Sequence, residues 1–290
     1  MRNCALFCRV LAGRVQSMRG WIKVGVGIGL AAAALTARWA WAEAPAKAVA
    51  VFNAYVAATE ARLAKQHASM AEFLAGEAGS DEGKARLRRG EVVVEQMTPP
   101  EGMNVPGALL HHWRGTAFVA GAKAADFERL LRDFNGYSRT FAPQVMAAKT
   151  LAVDGDRVQG WMRLRQKHVI TVVMDSTYDV EFGRAEARDG SRRGWSAAHS
   201  VRISEIEDAG TKDERVLGPK EEHGFLWRQN TYWSWEEADR GLYIQMESLT
   251  LTRGIPVGLG WAVKPFVESI PRESLEFTLE KARLQVTGYR

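Results

Sequence analysis

The side chains best suited to chemistry lie on stretches of alternating polarity in the second half of the chain. His199 falls on the apolar face of 193–206, which it shares with Trp195, Ala197, Val201 and Ile203. Ser176 and Tyr178 sit on the apolar face of 169–182, between Met174 and Val180. A histidine that titrates near neutrality beside a tyrosine hydroxyl would serve as an acid/base pair, or the same groups would be polar handles in a ligand cavity. A hydrogen-bonded core histidine and a core tyrosine reaching the edge with its hydroxyl are the structural alternatives. In 225–237, Trp227, Trp233 and Trp235 share one face with Gln229 and Thr231, while Arg228, Asn230 and Tyr232 share the other. Both faces carry aromatics, so either fits the apolar wall with a few polar groups that lines ligand sites.

Other chemistries find less support. The sequence has no P-loop, no G-x-G-x-x-G, no H-E-x-x-H and no G-x-S-x-G. The six histidines (His67, His111, His112, His168, His199, His223) lack ligand spacing, and the adjacent His111 and His112 point to opposite faces of a strand. Asp175, Asp179 and Glu181 lie on the solvated face of their strand, and Glu236, Glu237 and Asp239 flank a turn, so neither group makes a general acid/base pair. Glu247 and Arg253 are expected to pair at the end of the sheet. No catalytic residue, metal or cofactor is assigned.

The first 42 residues change how the bulk numbers are read. Arg19 and Lys23 precede an uncharged apolar run over 24–35, and the run closes on Ala40-Trp41-Ala42. That is a secretory signal-peptide pattern with cleavage near Ala42, and export to the periplasm or medium is the expectation. An uncleaved N-terminal membrane anchor is the alternative, although the run is short of the roughly 20 residues a spanning helix needs. Met18 is an alternative start to Met1. The leader holds six Lys/Arg and no acid; removing them from 39 basic and 34 acidic residues leaves 33 against 34. The overall charge of +5 and pI of 9.3 therefore belong to the leader and do not point to nucleic acid. Cys4 and Cys8 also fall in it, so the remaining 248 residues carry no thiol chemistry, disulfide or Cys-based zinc site.

The elements that position these groups follow from periodicity. An Ala-rich helix, or two short ones, is expected over 46–75, then a polar linker or helix end over 76–90. Strands are expected over 91–97 and 109–119, and short helices over 124–134 and 137–141. From 145 the pattern is strand throughout: 145–153 and 157–165 about Asp154-Gly155-Asp156, then 169–182, 193–206, and 225–237 with 242–252 about Asp239-Arg240-Gly241. The apolar segment 254–267 reads either as the buried first part of a last helix or as a lid or membrane-contact loop; Trp261 lies in it. Pro271 marks a helix start, and Leu275, Leu279, Ala282 and Val286 recur on one face. The organisation expected is 1–42 signal peptide, 43–90 helical extension and linker, and 91–290 main domain.

The order of elements, with Gly224-Phe225-Leu226-Trp227-Arg228, Tyr232-Trp233, Glu247-Ser248, Arg253-Gly254-Ile255-Pro256 and Ile270-Pro271-Arg272-Glu273-Ser274-Leu275, resembles the START-like superfamily, also called SRPBCC or polyketide cyclase/lipid-transport. The resemblance covers roughly residues 91–287 and is similar to its secreted bacterial members. It implies an α+β helix-grip fold: a curved antiparallel β-sheet wrapped on a long C-terminal α-helix, here with an N-terminal helical extension. It also implies a cavity between sheet and helix that holds a hydrophobic small molecule such as a lipid, isoprenoid or aromatic metabolite. The expected lining is Ser176, Tyr178, Trp195, His199, Asn230, Tyr232, Trp233 and Trp261. Transient membrane contact is a further expectation. The alternative function is a cyclase- or dehydratase-type enzyme with His199 and Tyr178 as its acid/base groups.

Overall fold

Side chains that alternate in polarity leave each strand with two dissimilar faces, and over 108–120, 228–238 and 241–253 this chain buries most of both. The computed structural model describes residues 43–69, 73–98, 103–105, 107–167, 171–186, 192–254 and 260–287; the expected signal peptide lies outside them. The strands are β1 Val93–Gln96, β2 Met103–Val105, β3 Ala108–Ala120, β4 Val145–Asp154, β5 Arg157–Lys167, β6 Thr171–Glu186, β7 Arg192–Glu207, β8 Arg215–Val216, β9 Arg228–Ala238 and β10 Gly241–Arg253. Among the described residues they form one curved antiparallel sheet ordered β1-β3-β10-β9-β7-β6-β5-β4, with β2 on β3 and β8 on β7.

The inner face of this sheet meets the C-terminal helix α5 (Gly260–Thr287), introduced here with α1 (Ala46–Ala68), α2 (Asp81–Arg88), α3 (Ala124–Arg132) and α4 (Tyr137–Thr140). The stripe Leu275, Leu279, Ala282 and Val286 is buried against it, each leucine contributing about 1.5–3 kcal/mol. Gly115 of β3 makes the close approach possible, because a Cβ there would run into Leu275 and Leu279. Helix α3 closes the layer with Phe127, whose ring stands edge-on to Trp233 and Trp235 at 5.2 and 5.4 Å. This is the helix-grip arrangement, an α+β fold. Helix α5 begins at Gly260 and runs through Pro271, so the expected start at Pro271 is corrected. A proline inside a helix removes one N–H and clashes with the carbonyl four residues back, a cost of about 3 kcal/mol that the burial of Leu275, Leu279, Ala282 and Val286 offsets. Of the two readings of 254–267, the helical one holds from Gly260 onward; 255–259 lie outside the described residues.

The outer face is covered by the N-terminal extension. Ala48, Phe52 and Leu63 of α1 are buried with Leu110, Trp227, Leu249 and Leu251. The stretch 76–90, expected as a polar linker or a mobile helix end, contains helix α2 and is packed structure. The Ser80 side chain accepts from Gly83 N–H at 3.0 Å to cap α2, and Ala78 and Leu87 are buried with Phe73, Val93 and Tyr243.

Turn chemistry sets the strand registers. Gly155 (φ 56°) takes the left-handed position between β4 and β5. Between β9 and β10 the same role falls to Asp239 (φ 53°) and Arg240 (φ 60°), a type I′ pattern built without glycine at either centre. Arg240 gains no side-chain benefit there, whereas Asp239 is held by Arg88 and Tyr243. Arg240→Gly is expected to stabilise the fold by about 1 kcal/mol, read as a raised urea midpoint at unchanged m-value. An unchanged or lowered midpoint would contradict the strain argument.

Candidate ligand-binding site

Cross-strand registers arrange the inner face in rows. In one row His111 of β3 stands opposite Thr250 of β10, and Thr250 opposite Gln229 of β9. The Gln229 N–H donates to the Ser200 hydroxyl of β7 at 2.9 Å, Ser200 stands opposite Tyr178 of β6, and Tyr178 opposite Gly160 of β5. The Tyr178 hydroxyl reaches back over Ser200 and donates to Gln229 Oε1 at 2.6 Å. From His111 to Tyr178 the row spans five strands, about 19 Å at the usual spacing. The next row holds Trp113, Ser248, Thr231, Ala198 and Val180. The one after it holds Gly115, Met246, Trp233, Ser196 and Phe182, where Leu275 and Leu279 pack. The inner face is thus apolar under the second half of α5 and becomes polar about 13 Å along β3 from Gly115.

Several groups at the polar end are buried without satisfaction. Both ring nitrogens of His111, Trp113 Nε1, Thr250 Oγ1 and Thr252 Oγ1 have no hydrogen-bond partner among the described residues. His111 is 1% exposed, and burial alone lowers its pKa to about 4, so the ring is neutral at pH 7 with one donor and one acceptor. Burial pushes the Tyr178 hydroxyl far above its ordinary range, which keeps it a donor. An unpaired buried polar atom costs about 1–3 kcal/mol, so a cluster of them calls for a reason beyond stability.

The expected lining residues divide between the two faces. Ser176, Tyr178 and Trp233 are on the inner face, Ser176 fully buried two residues from Tyr178 and Trp233 packed on Phe127. Trp195, His199, Asn230 and Tyr232 are on the outer face under α1, so they do not line a cavity against α5. His199 stands opposite Asp179 while Ser200 stands opposite Tyr178; His199 and Tyr178 therefore face opposite ways and form no acid/base pair. A β-bulge opposite Thr177/Tyr178 explains the error: it leaves Val201 unpaired and exposed, so Ile203 faces inward with Ser176 although it shares parity with His199. Trp261 falls in the first turn of α5, and its side chain lies outside the described residues.

On the outer face these residues belong to a polar clasp for α1. Glu60 Oε1 accepts from the Tyr232 hydroxyl at 2.8 Å and meets His199 Nε2 at 2.6 Å, while Asn230 Nδ2 donates to the Tyr232 oxygen at 3.3 Å. His67 stacks on Trp195 with centroids 5.7 Å apart and meets Ser234 Oγ at 2.8 Å. The centre of the clasp is Glu247, which pairs with Arg62 of α1, with Arg114 Nε at 2.9 Å and with His112 Nε2 at 2.8 Å. The carboxylate accepts, so His112 Nε2 carries the proton and Nδ1 accepts from the Tyr55 hydroxyl at 3.1 Å. Arg253 takes no part, which corrects the expected Glu247–Arg253 pair: residues 247 and 253 share a face, but six residues of strand separate them by about 20 Å.

Sequence reasoning missed His111, Thr250, Gln229 and Trp113. The signal was present, since 108–120 and 241–253 are apolar strands interrupted by polar residues such as His111 and Thr250, but β3 and β10 pair across 121 to 240 and the register is not readable locally.

No family model matches the chain, and no curated protein does. Among solved structures it is similar to a STAR-related lipid transfer protein from Xanthomonas axonopodis (16% identity, TM-score 0.39, covering 67% of this chain and 98% of that one). It is also similar to the Zhui aromatase/cyclase from a Streptomyces species (11%, 0.40, 61% and 94%) and to human STARD10 (9%, 0.40, 74% and 82%). By its own sheet order and gripping helix the chain has a START-like fold.

Proposed function

We propose that the protein binds a hydrophobic small molecule, such as a lipid, isoprenoid or aromatic metabolite, between the inner face of the sheet and α5. The observation that carries this reading is the set of buried polar atoms at His111, Trp113, Thr250 and Thr252 beside an apolar wall. Apolar walls with a few convergent polar groups are the usual lining of small-molecule sites. Burial supplies the affinity: at roughly 25 cal/mol per Å², a long apolar tail is held without catalytic groups. The acid/base alternative loses its support because His199 and Tyr178 face apart. Export is part of the proposal and rests on the leader pattern before Ala42. Among the described residues no helix is long and apolar enough to cross a membrane.

The full chain purified under native conditions should carry co-purified lipid in native mass spectrometry, and the emptied protein should take up apolar ligand from a lipid extract. A protein that is always empty and takes up nothing would sink the reading.

A further inference from the structure

We propose that the ligand of the inner-face site is uncharged, and that its head is a hydroxyl or carbonyl group held by His111, Thr250 and Trp113, with carboxylate and phosphate heads excluded. The inference rests on the binding function proposed above and adds the chemical class of the ligand. Two observations carry it: the unpaired atoms at the polar end, and the charge around them.

Trp113 Nε1 can only donate, so the head must offer an acceptor. Neutral His111 offers one donor and one acceptor whichever tautomer it holds, and the Thr250 hydroxyl does both. Thr250 stands directly opposite His111, so their functional groups are neighbours on one face. A hydroxyl or carbonyl oxygen accepts from two of these donors, Trp113 Nε1 and either the Thr250 hydroxyl or the protonated His111 nitrogen, and a hydroxyl also has a proton to give to an acceptor among them.

An anionic head does not fit. Across β3, β10, β9, β7 and β6, the three inner-face rows from His111 to Gly115 hold no lysine or arginine among the described residues. The nearest arginine in sequence, Arg114, points to the outer face and is engaged by Glu247. Burial keeps His111 neutral down to about pH 4, so it supplies no positive charge at pH 7. A carboxylate would be buried with hydrogen bonds but without a counter-charge among the described residues of these rows, and its desolvation penalty would be uncompensated there.

The test is equilibrium binding of 1-hexadecanol and of palmitate to the full chain at pH 8, followed by native mass spectrometry. The alcohol is expected to bind tighter than the carboxylate by on the order of a hundredfold or more. His111→Leu and the isosteric Thr250→Val should each weaken hexadecanol binding roughly five- to tenfold and leave palmitate unchanged. Thr250→Val keeps the packing volume, so it carries the test if His111→Leu fails to fold. Palmitate binding as tightly as the alcohol, or hexadecanol binding indifferent to both variants, overturns the assignment of the head group and leaves the hydrophobic-ligand function standing. Failure of both probes, together with no uptake from a lipid extract, overturns that function itself and this assignment with it.

Discussion

Glu247→Ala is expected to destabilise the fold by about 3–5 kcal/mol, the range for breaking a buried ion pair from one side. Glu247 is 2% exposed and sits between helix α1 and strand β3, where it holds Arg62, Arg114 and His112. Arg62 is partly exposed and turns to water when its partner goes. Arg114 is 4% exposed and keeps Glu95 at 3.8 Å, a longer and weaker contact than the 2.9 Å bond it loses. Most of the loss therefore falls on a buried guanidinium and on a histidine left with an unmet donor. Burial pushes the Glu247 carboxyl up, but the His112 hydrogen bond and the charges of Arg114 and Arg62 outweigh it and hold the pKa at about 2. A carboxyl depressed from 4.5 stabilises fully above that pH, and the contribution is lost as pH falls through 2; it amounts to about 3 kcal/mol. Urea unfolding of Glu247→Ala at pH 7 should show the loss, and the wild-type curve should lose a comparable amount below pH 4.5 that the variant does not. A change under about 1 kcal/mol at pH 7 would mean that the clasp is solvated and that α1 is held by Phe52 and Leu63 alone.

The succession of strands along the chain and the gripping helix were readable in the sequence for a physical reason. Alternation such as that of Met174, Ser176, Tyr178, Val180 and Phe182 is imposed by a buried face, and turns such as those at Gly155-Asp156 and Asp239-Arg240 use a left-handed backbone that few residues take. The stripe Leu275, Leu279, Ala282 and Val286 has the helical period for the same reason. The site was less readable because it depends on which face of each strand looks inward. One extra residue in a strand reverses that face, and the bulge at Val201 does so between His199 and Ile203. Phe225 to Glu237 carries aromatics on both faces because both are buried, one under α3 and α5 and the other under α1. Where the sheet is covered on both sides, under α1 and α5, it loses the contrast between apolar and polar faces on which the reading of Trp195, Asn230 and Tyr232 depended. The unpaired state of His111 and Thr250 arises from the pairing of β3 with β10, about 120 residues apart in the chain, and no local pattern encodes it.

His111→Leu is expected to leave the fold as stable as the wild type at pH 7, or to stabilise it by about 1–2 kcal/mol, although it removes a proposed ligand contact. Its two ring nitrogens are buried with no partner among the described residues, and replacing them with apolar atoms of similar volume removes a desolvation penalty. The pH dependence identifies the residue. Burial lowers the folded pKa of His111 from 6.5 to about 4, so between these values the unfolded chain takes up the proton first. The stability that depends on a neutral ring is complete above pH 6.5, falls as pH drops, and levels off below 4, for a loss of about 3 kcal/mol. Burial also lowers His67, to about 4, and His112, both on the outer face, so the wild type carries all three contributions and the variant loses only that of His111. Urea midpoints measured from pH 7.5 to 4 should converge less steeply for His111→Leu, whereas Thr250→Val, which does not titrate, should retain the wild-type slope. A variant as acid-sensitive as the wild type would show that His111 is hydrated rather than sealed. A stable, acid-tolerant variant with weakened hexadecanol binding would instead locate the balance between stability and function in one side chain: an unpaired histidine kept at the expense of the fold because the ligand completes it.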